Sequence, residues 1–402
     1  MAESPVPPSG GHQIEPAFGA VAELGPAPEP KPHRRRTGLI LTLLGVLLIG
    51  AACAGTQWAA NVGYDDALVA FEDAEDDAEV SQAELERALL ALTETTEVAT
   101  TVAETDSGTL MDAASKEPFA AALSEAEAAE TEAVALVDDE LPEATDKPDW
   151  AWELFGATSE LNADRDELAE DEDEFDDTRS TVTTASDAVN ETGTAAILSA
   201  AEAAGAFEAA HVSARNTDII AMRRAAERVS GATALDATAA EAYAELESAA
   251  EQMLASEQAE LAEKQGPLHD ARVEIEAFAR DLAPGVLLDF DWSPLVNGYG
   301  EADSMGGYAT WWYGDPGYAN LELSNSVAQY WPGDRSKALV AHEVGHAISV
   351  KCEGMYDDTD QGTIEAWATA WAIGMGFHDA ANGTSAYGAP PQSLIDAAAA
   401  CR

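Results

Sequence analysis

The sequence predicts a mainly α-helical protein with a single N-terminal transmembrane helix, an elongated helical region and a small α+β domain at the C-terminus. Three observations carry this prediction. An uncharged apolar run, GLILTLLGVLLIGAACAG, directly follows a basic cluster near the N-terminus. The long stretch behind it is dominated by Ala, Glu, Asp, Leu and Thr, residues that build helices without supplying a large core. After Pro284 the composition shifts to aromatic and glycine-rich sequence, as a packed domain with turns requires.

The chain has 402 residues with 75 acidic and 20 basic side chains, a formal charge of -55, and only 7% aromatics within its 46% apolar share. Such a charge cannot gather phosphates, which excludes nucleic acid as a partner. Residues 1–37 hold four acids and four bases, residues 55–283 carry -44, and residues 284–402 carry -11. The extreme therefore belongs to the helical region.

Residues 1–37 are rich in proline and cannot bury a core, so a disordered arm is expected there. Residues 38–54 form an apolar segment of about 17 residues, just long enough to span a bilayer as a helix. Lys31, Arg34, Arg35 and Arg36 in front of it place the arm in the cytoplasm and everything after Gly55 outside, on a single-pass cell-membrane protein. Cleavage at the small residues Ala52-Cys53-Ala54 and lipid attachment at Cys53 are the alternatives to an uncleaved signal anchor.

Residues 55–283 read as an acidic stalk of antiparallel helices joined through Leu and Ala seams, with breaks near Gly108, Pro118, Pro142, Pro148, Gly193, Gly231 and Gly266-Pro267. Leu85, Leu89 and Leu92 share a face. Leu254, Leu261, Leu268, Ile275 and Leu282 recur every seven residues in coiled-coil fashion, although Gly266-Pro267 interrupts them. The run from Asp171 to Asp177 lacks the glycine and ligand alternation of a calcium loop and reads as a solvated loop.

In residues 284–402, Tyr318–Asn325 alternates as a strand, and SKALVAHEVGHAISV follows as an apolar helix. His342 and His346 lie one turn apart on one face, so both imidazoles can reach a single metal ion. Glu343 beside them is placed to act as a general base on water. A metal on this helix needs a third ligand. Glu365, on a second apolar helix 19 residues after His346, is the leading candidate; Cys352, Glu353, Asp357, Asp358 and Asp360 are the alternatives. His378 and Tyr356 are candidate donors to an oxyanion. Trp311, Trp312 and Trp331 read as core or cleft wall. Cys352 and Cys401 are expected to pair in an oxidising compartment.

His342, Glu343 and His346 followed by Glu365 resemble the gluzincin arrangement of thermolysin-like zinc metallopeptidases, over residues 284–402 only. The resemblance implies a zincin-like fold, one Zn2+ and hydrolysis of a peptide or protein substrate, which the local negative charge biases toward cationic sequences. It also implies that Tyr318–Asn325 is the rim along which an extended peptide docks. The chain departs from the pattern at Thr369, where an Asp would orient a His ligand. The competing reading is a surface interaction protein whose helical region does the work beside an inactive or purely structural metal-binding domain.

Overall fold

The structure is a computed structural model that describes residues 36–301, 304, 306–314 and 317–402, with side chains from Thr42 onward. The expected proline-rich arm lies outside the described residues except for its last two. The described chain is mainly helical with one three-stranded sheet. It divides into two compact units. Among the described residues the first joins 36–70 with Ala144–Asn162; the second joins Phe71–Glu143 with Ala163–Arg402.

Two helices run through both units, α1 (Arg36–Thr105) and α3 (Ala151–Ala210), while α2 (Ala113–Val137) lies within the second. The apolar run is thus the start of a 70-residue helix, and no break separates it from the acidic sequence. Thr42–Thr105 is long and apolar enough at its N-terminal end to cross a membrane. In the first unit Ala60, Tyr64 and Ala67 of α1 and Leu154 and Leu161 of α3 are buried.

In the second unit the helical core gathers Leu85, Leu92 and Ala99 from α1, Phe119, Ala126 and Ala133 from α2, and Phe175, Val182 and Val189 from α3. The burial recurs every seven residues on α1 and α3, the spacing of a helix seam. It is carried by mixed small and large side chains, so leucine spacing alone does not reveal it. The Leu254–Leu282 repeat is a different matter. It is divided between α5 (Ala237–Glu263) and α6 (His269–Leu282), and Leu261 is exposed.

Other expectations need correcting. Thr93 donates to Glu130 and Gln82 to the Val137 carbonyl, so α1 and α2 are antiparallel as expected. Contacts of Glu84 with Arg179 and of Thr95 with Ser186 show that α3 runs parallel to α1, because the long 138–150 connection returns the chain to its starting end. The 171–177 run is helical; Phe175 in its middle is buried in the helical core while the acids on either side of it are exposed. Gly193 does not end a helix; a Cβ there would sit 2.5 Å from Leu235 and 2.9 Å from Phe119, so it is a contact point. The chain turns instead between α3 and α4 (Asn216–Ser230), at His211–Arg215, where the sequence holds no Gly or Pro.

The sheet comprises β1 (Leu287–Ser293), β2 (Gly307–Trp312) and β3 (Tyr318–Ser324) in the order β1-β3-β2, with β1 parallel and β2 antiparallel to β3. Then come α7 (Asn325–Gln329), α8 (Asp334–Ile348), α9 (Gln361–Gly374), α10 (Thr384–Tyr387) and α11 (Gln392–Ala398). Their core contains Leu321, Leu323, Val340, Val344, Trp367 and Trp371, and also Ile275, Ala279 and Ala283 of the α6 region. The expected boundary at residue 284 therefore runs through a continuous core. The expected Cys352–Cys401 disulfide is present, with Cα atoms 6.0 Å apart, and ties the C-terminus to the chain just beyond α8.

Charged groups also join the helices to the sheet. Buried Lys264 pairs with buried Glu276 at 2.8 Å, and Glu276 accepts a hydrogen bond from the Trp292 indole at 3.1 Å. Arg215 pairs with Glu260 and Asp291. The Asn216 amide donates to Asp289 at 2.8 Å and its side chain to the Ala319 carbonyl at 2.9 Å. Burial raises the Asp289 carboxyl to about 7, against the pull of the Asn216 amide and Arg215. The folded state thus holds a proton that the unfolded chain releases from 3.8 upward, and stability from this group is lost as pH rises toward 7. Asp289→Asn keeps an acceptor for the amide. It is expected to be more stable than the parent at pH 8 in urea denaturation, with the advantage shrinking as pH falls toward 4.

Candidate metal centre

The helix α8 is buried on every side from Ala338 to Ile348, lying against β2, the α6 region and α9. A helix apolar all round can sit only in a core. His342, Glu343 and His346 are therefore buried polar groups on an apolar element, a costly arrangement unless their polar atoms are engaged. Gly345 determines how close the second helix comes. A Cβ there would lie 2.8 Å from the Ala368 carbonyl oxygen and 3.0 Å from its Cα, so only glycine lets the α8 and α9 backbones meet.

That approach brings Glu365 of α9 opposite the two histidines. His342 Nε2 lies 3.1 Å and His346 Nε2 3.4 Å from Glu365 Oε2, and the two nitrogens are 3.3 Å apart. The remaining carboxylate oxygen, Oε1, accepts from Gln361 Nε2 at 2.9 Å, which turns Oε2 toward the histidines. Burial alone would raise the Glu365 carboxyl; hydrogen bonds and charge from His342 and His346 hold it well below the usual range. Burial pushes Glu343 up, against the two histidines.

The donor set fits a divalent cation. His342 Nδ1 is 3.0 Å from the Asn382 carbonyl, which can only accept, so Nδ1 carries the proton. Nε2 is then a bare lone pair facing a carboxylate and a second imidazole nitrogen, and only a proton or a cation between them relieves the repulsion. Donor atoms about 2.1 Å from a tetrahedral ion stand roughly 3.4 Å apart, close to the spacings found here. His342, His346 and Glu365 can therefore hold a metal ion.

Thr369 occupies the place where the resembled pattern has an orienting carboxylate. Its hydroxyl is 3.5 Å from His342 Nδ1, and the closer partner is the Asn382 main chain. Asn382 ends a short turn, and its side chain is fixed by donating to the Phe377 carbonyl and accepting from the Thr384 amide. Gly383 follows at φ +101°, where a Cβ would meet Thr369 Oγ1 at 2.2 Å and His342 Nδ1 at 2.7 Å. The sequence signal for this device was the Asn-Gly pair itself, a turn dipeptide.

The alternative ligands fall elsewhere. Cys352 is bonded to Cys401, Asp360 caps α9 at the Thr363 amide, and Asp357 accepts from Thr359. Neither oxyanion candidate reaches the cleft. His378 lines a separate pocket with Asp334 and Lys337, because the turn after α9 carries it away. Tyr356 stacks on Trp367, with its hydroxyl 3.4 Å from that of Tyr313. An aromatic donor that does line the cleft is Tyr387, at the end of α10, stacked on His342 with ring centroids 5.9 Å apart. Partial burial, with the negative charges of Glu365 and Glu343, raises its hydroxyl to about 12, so it remains a donor.

The cleft has a volume of about 150 Å³, and its other wall is β2. Gly307 lies against Glu343: a Cβ would sit 2.5 Å from the carboxylate. Trp311 stacks on His346, centroids 5.4 Å apart, as a cleft wall. β3, the expected rim, is paired on both sides and cannot be an edge; the rim is β2. Ser324 donates to the Gly306 carbonyl, so strand alternation leaves the N–H and C=O groups of Gly307, Ala309 and Trp311 pointing to the open edge.

Comparison with protein-family models, with curated proteins and with solved structures returns no match, and what the site can do rests on its geometry. Equilibrium dialysis of the full chain against Zn2+ is expected to give one ion per chain, lost in His346→Ala. Gly383→Ala should weaken affinity about 10- to 100-fold by displacing the histidine's partner. Unchanged affinity in Gly383→Ala would show that the Asn382 carbonyl does not orient the ligand.

Proposed function

We propose that this protein is a membrane-anchored, extracytoplasmic zinc metallopeptidase that cleaves an extended peptide laid along β2. The observation that carries the reading is the convergence on one cleft of His342, His346 and Glu365, the non-ligand carboxylate Glu343 and the unpaired edge of a strand. Zinc held there would polarise a carbonyl and make water more acidic.

The chain's own groups supply the rest. A peptide pairing with the open edge of β2 would use the main-chain groups of Gly307, Ala309 and Trp311, which bind without regard to sequence. Glu343 takes a proton from the attacking water and delivers it to the leaving amine. Its apolar setting, which raises its proton affinity, suits a group that must hold the proton between the two steps. Tyr387 donates its hydroxyl to the oxygen on which negative charge develops. Gln361 and the Asn382 carbonyl hold Glu365 and His342 in place. The net negative charge of residues 284–402 around the cleft, rather than the cleft's own carboxylates, favours a cationic substrate. The apolar start of α1 supports the anchor, and the basic residues before it support a cytoplasmic N-terminus.

The test is cleavage of a peptide library by the zinc-loaded full chain. Glu343→Gln should keep its zinc and lose roughly 10²–10⁴-fold in kcat. Tyr387→Phe should lose on the order of 10²-fold in kcat with KM little changed. Zinc bound one to one with no cleavage of any peptide would favour the structural-metal alternative.

A further inference from the structure

In the first unit, large aromatic side chains stand in solvent. Trp58 of α1 is 71% exposed, Trp150 57% and Trp152 69%, although Leu154 close by is fully buried. The two α3 tryptophans stack on each other, centroids 5.2 Å apart and planes within 6°. An exposed apolar group of this size on a folded unit marks an interaction surface.

The chain places all three rings at one level. The connection leading into α3 descends along α1: Tyr64 donates to the Thr145 carbonyl at 3.2 Å, and Lys147 pairs with Asp65. At its lowest point the Gln57 side chain bridges it, donating to the Asp149 carbonyl at 3.0 Å and accepting from the Ala151 amide at 2.8 Å. Trp150 and Trp152 are thereby fixed beside Gln57 and Trp58. No charged residue lies between Arg36 and Asp65. From Gly38 a helix reaches Trp58 after about 31 Å, the thickness of a bilayer's hydrocarbon core.

We infer that Trp58, Trp150 and Trp152 form an aromatic belt seated in the headgroup layer of the membrane that α1 crosses. The turn into α3 is then a second point of membrane contact beside the anchor. The inference rests on the reading of α1 as a membrane span and adds to it. Tryptophan gathers at such interfaces because its ring is apolar and its indole N–H is polar. The backbone at Asp149 and Trp150 is irregular, and irregular chain needs water or lipid headgroups rather than hydrocarbon around it, so the turn stops at the interface. Asp146, Asp149 and Glu153 against one Lys147 make this surface acidic, which selects zwitterionic over anionic lipid.

The test uses the full chain with Cys53→Ser, reconstituted in phosphatidylcholine vesicles. A fluorophore is attached in turn through Leu47→Cys, Glu153→Cys or Glu160→Cys, all of which keep the three tryptophans. Headgroup-depth nitroxide lipids should quench the label at 153 several-fold more than at 160, and Trp150→Ala/Trp152→Ala should bring 153 down to the level of 160. Equal quenching at 153 and 160, with strong quenching at 47 by acyl-chain nitroxides, overturns the belt and leaves the anchor standing. Absence of quenching at 47 overturns the anchor itself.

Discussion

The close approach of α8 and α9 at Gly345 is the constraint on which the candidate centre depends. The two histidines share a face by helix geometry alone, but that face is useful only if a third donor arrives at the right distance. With Gly345 against Ala368, the helix axes are near enough for a glutamate one turn before the contact to reach both imidazoles. Trp367 and Trp371, fully buried on the same helix, hold that crossing from the opposite flank. One hydrogen atom in place of a side chain thus links packing to the ligand set.

Much of the site was legible because it follows helical arithmetic. His342, Glu343, His346 and Glu365 sit on two helices whose periodicity shows in the sequence. The sheet order was not legible. Tyr318–Asn325 has the alternation of a strand, but alternation is the same for a central strand as for an edge, and only pairing makes β3 central. Tyr387 and the Asn382 carbonyl were missed for another reason: both enter from irregular chain after α9, where no period links them to α8. His378 and Tyr356 lie close to the metal-bearing helices in sequence, but the turn after α9 and the Trp367 stack send them elsewhere.

In the helical region the seven-residue burial of α1 and α3 lies beneath a surface of like charges. Glu75, for example, is pushed up by partial burial and by Glu79, Asp76, Glu143 and Glu72 around it. Alanine in the seam draws the backbones together, which offsets the small apolar area each residue contributes. The charge network around Arg215, Glu260, Lys264 and Glu276 has a different role. Removing one member would leave another buried and unpaired, so the network penalises any arrangement of α4, α5 and α6 on the sheet other than the one observed.

Charge arithmetic also accounts for Thr369. With His342 and His346 neutral, Glu365 and Glu343 together carry two negative charges, which a divalent ion would neutralise. An orienting aspartate would add a third negative charge beside side chains that are already buried. A main-chain carbonyl fixes the tautomer and the ring orientation of His342 with only a dipole. It makes the imidazole less electron-rich than a carboxylate partner would, so a metal ion held there would be the stronger Lewis acid. The cost falls on the backbone, since Asn382 can approach only because Gly383 adopts a left-handed conformation with no Cβ to strike the ring.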